Sequence, residues 1–418
     1  HRGGYTPIQG DIKPFLDNDN NFIVIRVSDT TSWQQPRGKQ AGDTRWPIDY
    51  DGITGIWQTV WLEPASLLRI CHVGYRYHRS QQRLQITVRL SEHSEADVTV
   101  TLHQDEDQSI SSVKNCALRS EVVINLDVPD PRLWCPEDPH LYPVTLQIYQ
   151  DQILGDEVLS YTGLRTIDID KGKLQLNGEK LYVRGILDQG YFEQGWYTPV
   201  SDGALKKDVE LTLAMGFNLV RKHQKIEDPR YLFWADQLGL LVWNEMPSGR
   251  IFSTALIHDL THEWMSIIER DQAHPSIIGW VPFNESWGVW NQRQRPEQRH
   301  FVDAIFHLTK ALDPSRPVIG NDGWEYSTGD LWTLHLYDTT EQTLAARLQA
   351  LIEQPSGPVH DGAEPRVGAL PGADPRGKPI LLTECGGIGL ITPEALMDDA
   401  PFAFWLSIIG IDSHFINN

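Results

Sequence analysis

The sequence predicts β-sandwich domains followed by a (β/α)₈ TIM barrel, and three observations lead to that prediction. The chain has 418 residues, more than one hydrophobic core usually accommodates, so two or three domains are expected. Up to about residue 165, short strand-like runs alternate with turn residues and no helical period is visible. From about residue 166, apolar strand-like runs alternate with amphipathic stretches, which is typical of a parallel sheet with helical crossovers.

The first 165 residues divide into two β-rich blocks. Within 1–64, β-branched and aromatic residues predict strands at NNFIVIRVSD (20–29) and TGIWQTVWLEP (54–64). Within 65–165, polar and apolar residues alternate in regularly spaced runs, which predicts an immunoglobulin-like β-sandwich with a structural role. The clearest runs are RLQITVRLS (83–91), ADVTVTLHQ (96–104), SEVVINLDV (120–128) and LYPVTLQIYQ (141–150).

The third block, residues 166–418, has the pattern of a barrel. Periodic apolar residues predict helices over 202–216 and 228–239, with Asp228 capping the second, and a further helix near 254–272. The strands are almost continuously apolar, which fits burial on both faces, so a barrel is favoured over an open doubly wound sheet. No GxGxxG or Walker motif supports a nucleotide site. The predicted strands are 180–186, 217–221, 240–245, 276–283, 317–321, 331–337 and 379–384.

Composition and charge limit the classes of partner. The formal net charge is −20 and no basic patch is present, so nucleic acid and anionic membranes are poor partners. No apolar run reaches the roughly 18 to 20 residues that a membrane span needs. The four cysteines form no CxxC pair, so neither a zinc site nor a disulfide framework is expected. The compartment stays open, with the cytoplasm slightly favoured.

Polar residues follow several apolar strands, at the end where a barrel places its active site. The stretch GWVPFNESWG (279–288) is apolar as far as Phe283 and then reaches Asn284 and Glu285. Glu384 ends the seventh predicted strand, across the barrel mouth from the fourth. Glycoside cleavage needs one carboxylic acid to protonate the leaving oxygen and a second carboxylate as nucleophile or water activator. Other polar strand ends are Arg184, Asp188, Gln189, Arg221, Lys222, His223, Asn244, Glu245, Asn321, Asp322, His335 and Tyr337.

Each candidate also has an ordinary structural interpretation. Glu285 fits a strand that leaves the core for a polar loop, and His223 fits a hydrogen bond to a backbone carbonyl. Trp196 and Trp324 fit core packing as well as stacking on a sugar ring. HDLTH (258–262) resembles the HExxH helix of zinc hydrolases, but an aspartate replaces the required glutamate. A metal site is therefore not expected, and a metal-dependent hydrolase stays a minor alternative.

An ordered set of motifs resembles glycoside hydrolase family 2, which includes β-galactosidases, β-glucuronidases and β-mannosidases. TGIWQTVWLEP resembles the end of the family's sugar-binding jelly-roll domain, and LWCPEDPHLYPVTLQI (133–148) resembles its immunoglobulin-like domain. GLRTIDI (163–169) resembles the entry to its barrel. The barrel motifs that follow in family order are LQLNGEKLYVRGILDQGYF (174–192), MGFNLVRKHQKIEDPRYLFWADQLGLLVWNEMP (215–247), HPSIIGWVPFNESWG (274–288), DPSRPV (313–318) and PILLTECGG (379–387).

The resemblance implies a retaining double displacement on a terminal β-linked sugar, without cofactor or metal. Glu285 would be the acid/base and Glu384 the nucleophile, and carbohydrate would be the partner, with a homo-oligomer left open. It implies domains over 1–64 (a partial jelly roll), 65–165 and 166–418. The expected substrate-binding residues are Asp188, Arg221, His223, Asn284, Trp324, His335 and Tyr337.

The chain also departs from the better-known members of this family. Residues 221–224 read RKHQ where those members carry Arg-x-Ser-His, and residues 188–190 read DQG in place of Asn and His, so the sugar cannot be inferred. HRGGYTPIQGDIKPFL (1–16) resembles the middle of the jelly roll, and FAFWLSIIGIDSHFINN (402–418) does not resemble the last barrel unit. We therefore expect truncation at both ends and an incomplete barrel. The second hypothesis is a truncated or degenerate member that binds carbohydrate with little or no catalysis.

Overall fold

The structure, a computed structural model, describes residues 1–390 and 404–409 except 18, 43, 47 and 361–364. Only the backbone is described for 386–390 and 404–409. Short 3₁₀ helices lie at Lys13–Phe15 and Arg79–Gln81. The α-helices of this part of the chain are α1 (Asp202–Ala214), α2 (Pro229–Leu238), α3 (Thr254–Asp271), α4 (Pro296–Leu312) and α5 (Glu341–Glu353).

Seven antiparallel strands between residues 70 and 162 form two sheets around one apolar core. The strands are β1 (Ile70–His78), β2 (Arg83–Ser94), β3 (Asp97–His103), β4 (Ser109–Asn115), β5 (Arg119–Asp127), β6 (Tyr142–Gln150) and β7 (Ile153–Thr162). One sheet has the order β1-β2-β5 and the other β4-β3-β6-β7. Alternate residues point inward, so Ile86 of β2, Val100 of β3 and Leu146 of β6 are fully buried in a shared core. This arrangement confirms the predicted sandwich.

A small antiparallel sheet follows the sandwich and leads into the barrel. It contains β8 (Ile167–Asp170), β9 (Lys173–Leu176) and β10 (Glu179–Lys180). Trp134 is fully buried against this sheet and the first barrel strands, and its indole Nε1 donates to Asp236 O at 2.9 Å. Arg165 donates from Nε to Pro275 O at 3.0 Å and from Nη2 to Ile277 O at 2.8 Å. These contacts attach the sandwich to the start of a barrel strand.

The remaining strands form a closed ring. They are β11 (Gly185–Asp188), β12 (Leu219–Lys222), β13 (Leu241–Glu245), β14 (Ile277–Val281), β15 (Trp332–His335), β16 (Ile380–Leu390) and β17 (Phe404–Ile409). Their order is β14-β13-β12-β11-β17-β16-β15. Residues 317–322 lie in the fifth position, joined to the β14 side by parallel bridges at Val318 and Asp322. The N–H of His335 donates to Gly323 O at 3.1 Å, which joins this segment to β15 and closes the ring.

Local signals account for the helices that cover the barrel. Ser201 precedes α1 and accepts from the N–H of Ala204 at 3.1 Å, and Asp228 precedes α2 and accepts from the N–H of Arg230 at 3.0 Å. Gly239 ends α2 with φ 81°, a left-handed conformation that glycine adopts without steric cost. Apolar residues of α1, α2 and α3 pack on the outside of the sheet in one core. The helices predicted over 202–216, 228–239 and 254–272 are confirmed.

Two predicted strands are wrong. Residues 20–29 and 54–64 have no strand structure, although their composition favours strands. A β-strand requires a hydrogen-bonded neighbour, and the described residues provide none for either segment. The strand predicted at 180–186 is also displaced, because residues 179–180 pair with β9 while β11 begins at Gly185. The strand predicted at 317–321 is present only as isolated bridges.

Within the residues that the structure describes, the ring closes without an eighth parallel strand. β17 pairs antiparallel with β16 and with β11, so it occupies the eighth position in reversed direction. In a complete (β/α)₈ barrel that position would hold a parallel strand. The other residues of 391–418 lie outside the described part of the chain. No helix among the described residues is long and apolar enough to cross a membrane.

Candidate active site

Glu285 and Glu384 come together at the C-terminal mouth of the barrel. Glu285 follows β14, whose residues are fully buried, and Glu384 lies in β16 directly after the buried Leu382 and Thr383. A carboxylate oxygen of each, together with a ring nitrogen of His335, lies within 4.8 Å of the others. The pairing of β15 with β16 is irregular between Leu334 and His335, and such a bulge re-aims side chains. The structure therefore places the predicted pair face to face.

The backbone at Glu285 is unusual and firmly held. Glu285 and Ser286 both have positive φ, 52° and 59°, which costs energy for residues with a side chain. The N–H of Glu285 donates to Asp322 O and that of Ser286 to Asn321 Oδ1, both at 2.9 Å. Ser286 Oγ also donates to Glu325 Oε2 at 2.5 Å. Because these bonds fix the turn, the Glu285 side chain is directed into the mouth rather than away along the chain.

Glu384 is surrounded by donors and positive charge. Arg221 Nη1 lies 3.0 Å from its Oε1, and the Tyr337 hydroxyl donates to its Oε2. Burial opposes ionisation, but the charges of His335 and Arg221 and the Tyr337 hydrogen bond lower the pKa of Glu384 to about 2. Glu384 is therefore an anion at neutral pH, which is the state that a nucleophile needs.

Glu285 has a different environment from Glu384. Its side chain is 20% exposed, whereas that of Glu384 is 7% exposed. His335 Nδ1 lies 2.8 Å from Glu285 Oε1. Within the described chain no hydrogen bond reaches Glu285 Oε2, so that oxygen remains available to a ligand. Glu384 is thus held on both carboxylate oxygens, and Glu285 on only one.

Arg221 connects the side chains at the mouth. It comes from the buried end of β12 and is itself fully buried. Its guanidinium lies 2.6 Å from Glu245 Oε2, 2.7 Å from Asp322 Oδ2 and 2.6 Å from Asn284 Oδ1, in addition to Glu384. Burial disfavours its charge, but Asp322, Glu245 and Glu384 raise the pKa of Arg221 above its usual range. Arginine suits this position because its fork of N–H groups can bind several acceptors at fixed angles.

His335 lies between the two candidate carboxylates. Its Nδ1 contacts Glu285, while its Nε2 lies 3.3 Å from Asp322 Oδ2 and 3.6 Å from Glu384 Oε1. Burial lowers its pKa, but the negative charges of Glu384 and Asp322 dominate and raise the pKa of His335 to about 10. The imidazole is therefore protonated at neutral pH and separates two acidic groups that would otherwise repel each other.

Asp188 was predicted to bind substrate, and the structure gives it other partners. Its Oδ2 lies 2.5 Å from Lys222 Nζ, and its Oδ1 accepts from the N–H of Gly190 at 2.7 Å. Lys222 also lies 2.9 Å from Glu227 Oε2 and is fully buried. Asp188 therefore belongs to a neighbouring group of buried charges, and no hydrogen bond or ion pair among the described residues joins it to the carboxylate pair. Its predicted role stays untested.

His223 and Trp324 lie beside the site rather than on the carboxylates. His223 is 3% exposed, and its Nδ1 lies 3.1 Å from Glu245 Oε1. Burial lowers the pKa of His223, although Glu245 acts in the opposite direction. The Trp324 ring meets His335 edge-on at 5.8 Å between ring centres, and its buried Nε1 has no hydrogen-bond partner among the described residues. Trp196 is 49% exposed.

Sequence reasoning missed three residues of this site. Asp322 was noted only as a polar strand end, yet it pairs with Arg221 and accepts from Thr383 Oγ1 at 2.7 Å. Gln224 holds Glu245 through its N–H at 3.0 Å and its Nε2 at 2.8 Å. Lys39 lies in the N-terminal segment, next to Gly38, which packs against the carbonyl of Gln224. No sequence pattern links Lys39 to the barrel, because the two meet only through tertiary contacts.

Two groups of side chains contain the residue types that metal sites use. Among the described residues, Glu285, His335 and Glu384 form the group whose spacing could hold an ion. A protonated His335 and the Arg221 guanidinium already balance these carboxylates, which disfavours an added cation. In the HDLTH stretch, the Asp259 side chain instead binds Arg2 at 2.7 Å, and the side chain of His258 is 76% exposed.

The chain is similar to known glycosidases in sequence and in fold. It is 28% identical over 334 residues to a β-galactosidase from Thermoanaerobacter pseudethanolicus, covering 77% of this chain and 43% of that protein. The fold matches a family 2 β-galacturonidase from Eisenbergiella tayi bound to glycerol, with TM-score 0.66, 20% identity and coverage of 84% and 64%. It also matches a β-glucuronidase from Ruminococcus gnavus in complex with D-glucuronic acid, with TM-score 0.64, 19% identity and coverage of 78% and 55%.

Two family models match the chain in the same order as the folded units. The model named "Glycosyl hydrolases family 2" matches residues 68–165, and the model named "Glycosyl hydrolases family 2, TIM barrel domain" matches residues 167–386. The second match alone covers more than half of the 418 residues. The two structural matches, below 25% identity, support the fold. Its sandwich, its barrel and these two matches together place the chain in glycosyl hydrolases family 2.

Proposed function

We propose that the chain is a retaining exo-β-glycosidase that hydrolyses terminal β-linked sugars. The observation that carries this proposal is the spacing of the pair, since an oxygen of Glu285 and an oxygen of Glu384 lie within 4.8 Å. Retaining enzymes hold their two carboxyl groups about 5 to 5.5 Å apart, and inverting enzymes about 6.5 to 9.5 Å apart. The names of the similar proteins support a glycosidase. The chain spans about two fifths of the T. pseudethanolicus relative, so its own activity is part of the proposal.

In the first step, a Glu384 oxygen attacks the anomeric carbon of the sugar. The bond from that carbon to the glycosidic oxygen breaks, and Glu285 transfers its proton to the departing oxygen. The product is a sugar ester on Glu384 and an ionised Glu285. The low pKa of Glu384 supports this assignment, because an anionic carboxylate is ready to attack at neutral pH.

In the second step, a water molecule replaces the leaving group. Glu285 removes a proton from this water, and the water oxygen attacks the anomeric carbon as the ester bond to Glu384 breaks. Glu285 regains its proton and Glu384 its charge, so the site returns to its starting state. Two inversions at the same carbon give net retention. Arg221 and Tyr337 stabilise the charge that returns to Glu384 in this step.

The residues around the two carboxylates support attack on the terminal sugar of a saccharide. The N-terminal segment crosses the ends of β12 and β13, where the N–H of Gly38 donates to Ser248 O at 2.9 Å. Tyr50 of the same segment stacks on Tyr191 with ring centres 4.0 Å apart. The N-terminal segment of the protein therefore lies along one side of the barrel mouth, which favours a pocket over an open cleft. A pocket accepts a terminal sugar but not the middle of a polysaccharide.

The test is to assay the 418-residue chain on a panel of 4-nitrophenyl β-glycosides and to identify the first sugar product. Proton NMR during the first turnovers should show the β-anomer, before it equilibrates with the α-anomer. A 2-fluoro sugar with a good leaving group should accumulate as an ester on the peptide that contains Glu384, detected by mass spectrometry. The matched control is Glu384→Gln, which should not be labelled.

Two results would contradict the proposal. An α-anomer as the first product would show inversion and exclude Glu384 as nucleophile. Absence of turnover on the whole panel, with sugar binding retained in calorimetry, would favour a carbohydrate-binding protein without catalysis.

A further inference from the structure

A segment near the N-terminus is fitted closely to the mouth of the barrel. The N–H groups of Arg37 and Gly38 both donate to Ser248 O, at 3.2 and 2.9 Å. Gly38 has φ 61°, and a Cβ there would lie 2.3 Å from Gln224 O, so only glycine fits. Lys39 is the next residue, and its carbonyl accepts from the N–H of Tyr50 at 2.8 Å. Lys39 is therefore held over the ends of β12 and β13.

A second contact fixes the far end of this segment. Arg250, which follows β13, pairs with Asp49 through both terminal nitrogens of its guanidinium. The same guanidinium packs over the rings of Trp33 at 4.1 Å, Trp46 at 3.9 Å and Trp287 at 4.8 Å. Such stacking and bidentate pairing restrict an arginine strongly. The position of Lys39 thus depends on a clamped segment and not on a loose loop.

The carboxylates at the mouth are already bound by other groups. Glu384 is held by Arg221 and Tyr337, Glu245 by Arg221, and Glu285 by His335. None of these three carboxylates is paired with Lys39.

Lys39 forms no ion pair with these acids. It is half-buried, and in the described part of the chain no carboxylate lies within 4.0 Å of its Nζ. Burial lowers the pKa of Lys39 even though Glu384, Glu285 and Glu245 act to raise it. A partly desolvated cation without a hydrogen-bonded anion is under-compensated, and a ligand can supply the missing charge.

We propose that Lys39 is a substrate-binding residue and that it binds the carboxylate of a terminal uronic acid. This inference rests on the proposed function and specifies the sugar class at the same site. A uronate carboxylate offers Lys39 a charge-assisted hydrogen bond, whereas the hydroxymethyl group of a neutral hexose offers only a neutral acceptor. Lys39 therefore determines specificity and takes no part in bond cleavage.

The test compares matched substrates that differ only at carbon 6. The 418-residue chain is assayed on 4-nitrophenyl β-D-glucuronide against the β-D-glucoside, and on the β-D-galacturonide against the β-D-galactoside. One uronide should be preferred over its neutral partner in kcat/KM. Lys39→Met should lower kcat/KM for that uronide about 100-fold and for the neutral sugars less than about 3-fold. The loss should be mostly in KM, since carbon 6 is remote from the reacting bond.

Two matched variants separate charge from folding. Lys39→Arg keeps the cation and should retain the uronide preference, whereas Lys13→Met removes an exposed lysine from the same N-terminal region and should change nothing. Thermal melts of each variant report folding. If Lys39→Met does not fold, the preference of the unaltered chain between matched substrates decides the question.

The two proposals fail in different ways. A neutral sugar preferred in both pairs, or an equal loss on both sugar classes in Lys39→Met, overturns the role of Lys39 and leaves the glycosidase proposal standing. An absence of turnover on all four substrates overturns the glycosidase proposal instead.

Discussion

The sandwich and the barrel mouth use burial in opposite ways. Between residues 70 and 162, the polar side chains buried in the described structure are Ser94 and Thr162, and neither is charged. At the mouth, Arg221, Glu245 and Asp322 are all buried to 1% exposure or less. The sandwich therefore gains stability from apolar contacts, whereas the mouth holds charges that depend on one another. This difference predicts which substitutions will affect activity and which will affect only stability.

The largest expected effect is on the rate, from Glu384, the proposed nucleophile. Glu384→Gln keeps the size of the side chain but removes the attacking charge, so kcat should fall by roughly 10⁴-fold. Steady-state kinetics on the preferred aryl glycoside measures this change. Glu121→Gln, an exposed change on β5 of the sandwich, should leave kcat unaltered. A Glu384→Gln protein with a tenth of the original rate would remove Glu384 from catalysis.

Arg221 should give the largest loss of stability. Arg221→Met leaves Glu245, Asp322 and Glu384 buried without their shared cation, which costs about 3 to 5 kcal/mol. Urea denaturation should show this fall in the free energy of unfolding, together with a loss of activity. Arg119→Met, an exposed change in the sandwich, should stay within about 0.5 kcal/mol. If both variants are equally stable, the charge network does not contribute to folding.

A sandwich core substitution should separate stability from activity. Leu146→Ala removes a fully buried side chain from β6 and should lower the free energy of unfolding by roughly 3 kcal/mol. The kcat/KM of the folded protein should not change, because the cavity lies far from the charge network. Leu154→Ala, at a position 47% exposed, should be nearly neutral. A Leu146→Ala protein with normal stability but altered kcat/KM would contradict this separation of stability from activity.

The last expected effect is a pH dependence of stability that comes from His335. Its pKa is raised from the ordinary 6.5 to about 10 in the folded protein, so the folded state holds an extra proton between these values. This contribution is complete below about pH 6.5 and is lost as the pH rises towards 10, at up to about 1.4 kcal/mol per pH unit. Denaturation series from pH 6 to 10 measure the slope, which should flatten in His335→Gln but not in His93→Gln. An unchanged slope in His335→Gln would assign the effect to another group.

Parts of the fold could be predicted because they depend on local sequence patterns. Sandwich strands such as β2 alternate apolar and polar residues, and that local pattern is sufficient because their partners follow nearby in the chain. Residues 20–29 have similar composition yet form no strand, since pairing depends on a neighbour that composition does not specify. The domain division 1–64, 65–165 and 166–418 stays a prediction.

At the site, the sequence indicates which residues end strands but not which of them pair. Glu285 and Glu384 could be matched because facing strands of a barrel converge at one mouth. The contacts that Asp188 makes with Lys222 depend on which ionic partner is nearer, and this cannot be read from spacing. Lys39 lies 182 positions before Arg221 in the chain, and only the fold brings its region beside the barrel. The roles of all these residues stay proposals.

Arg165 joins the sandwich to the first residues of β14, and Glu285 follows the last residue of the same strand. From Ile277 to Glu285 the chain advances at most about 26 Å at 3.3 Å per residue, so a short segment connects the domain junction to the proposed acid/base. Arg165 thus couples the domain junction to the strand that leads to Glu285.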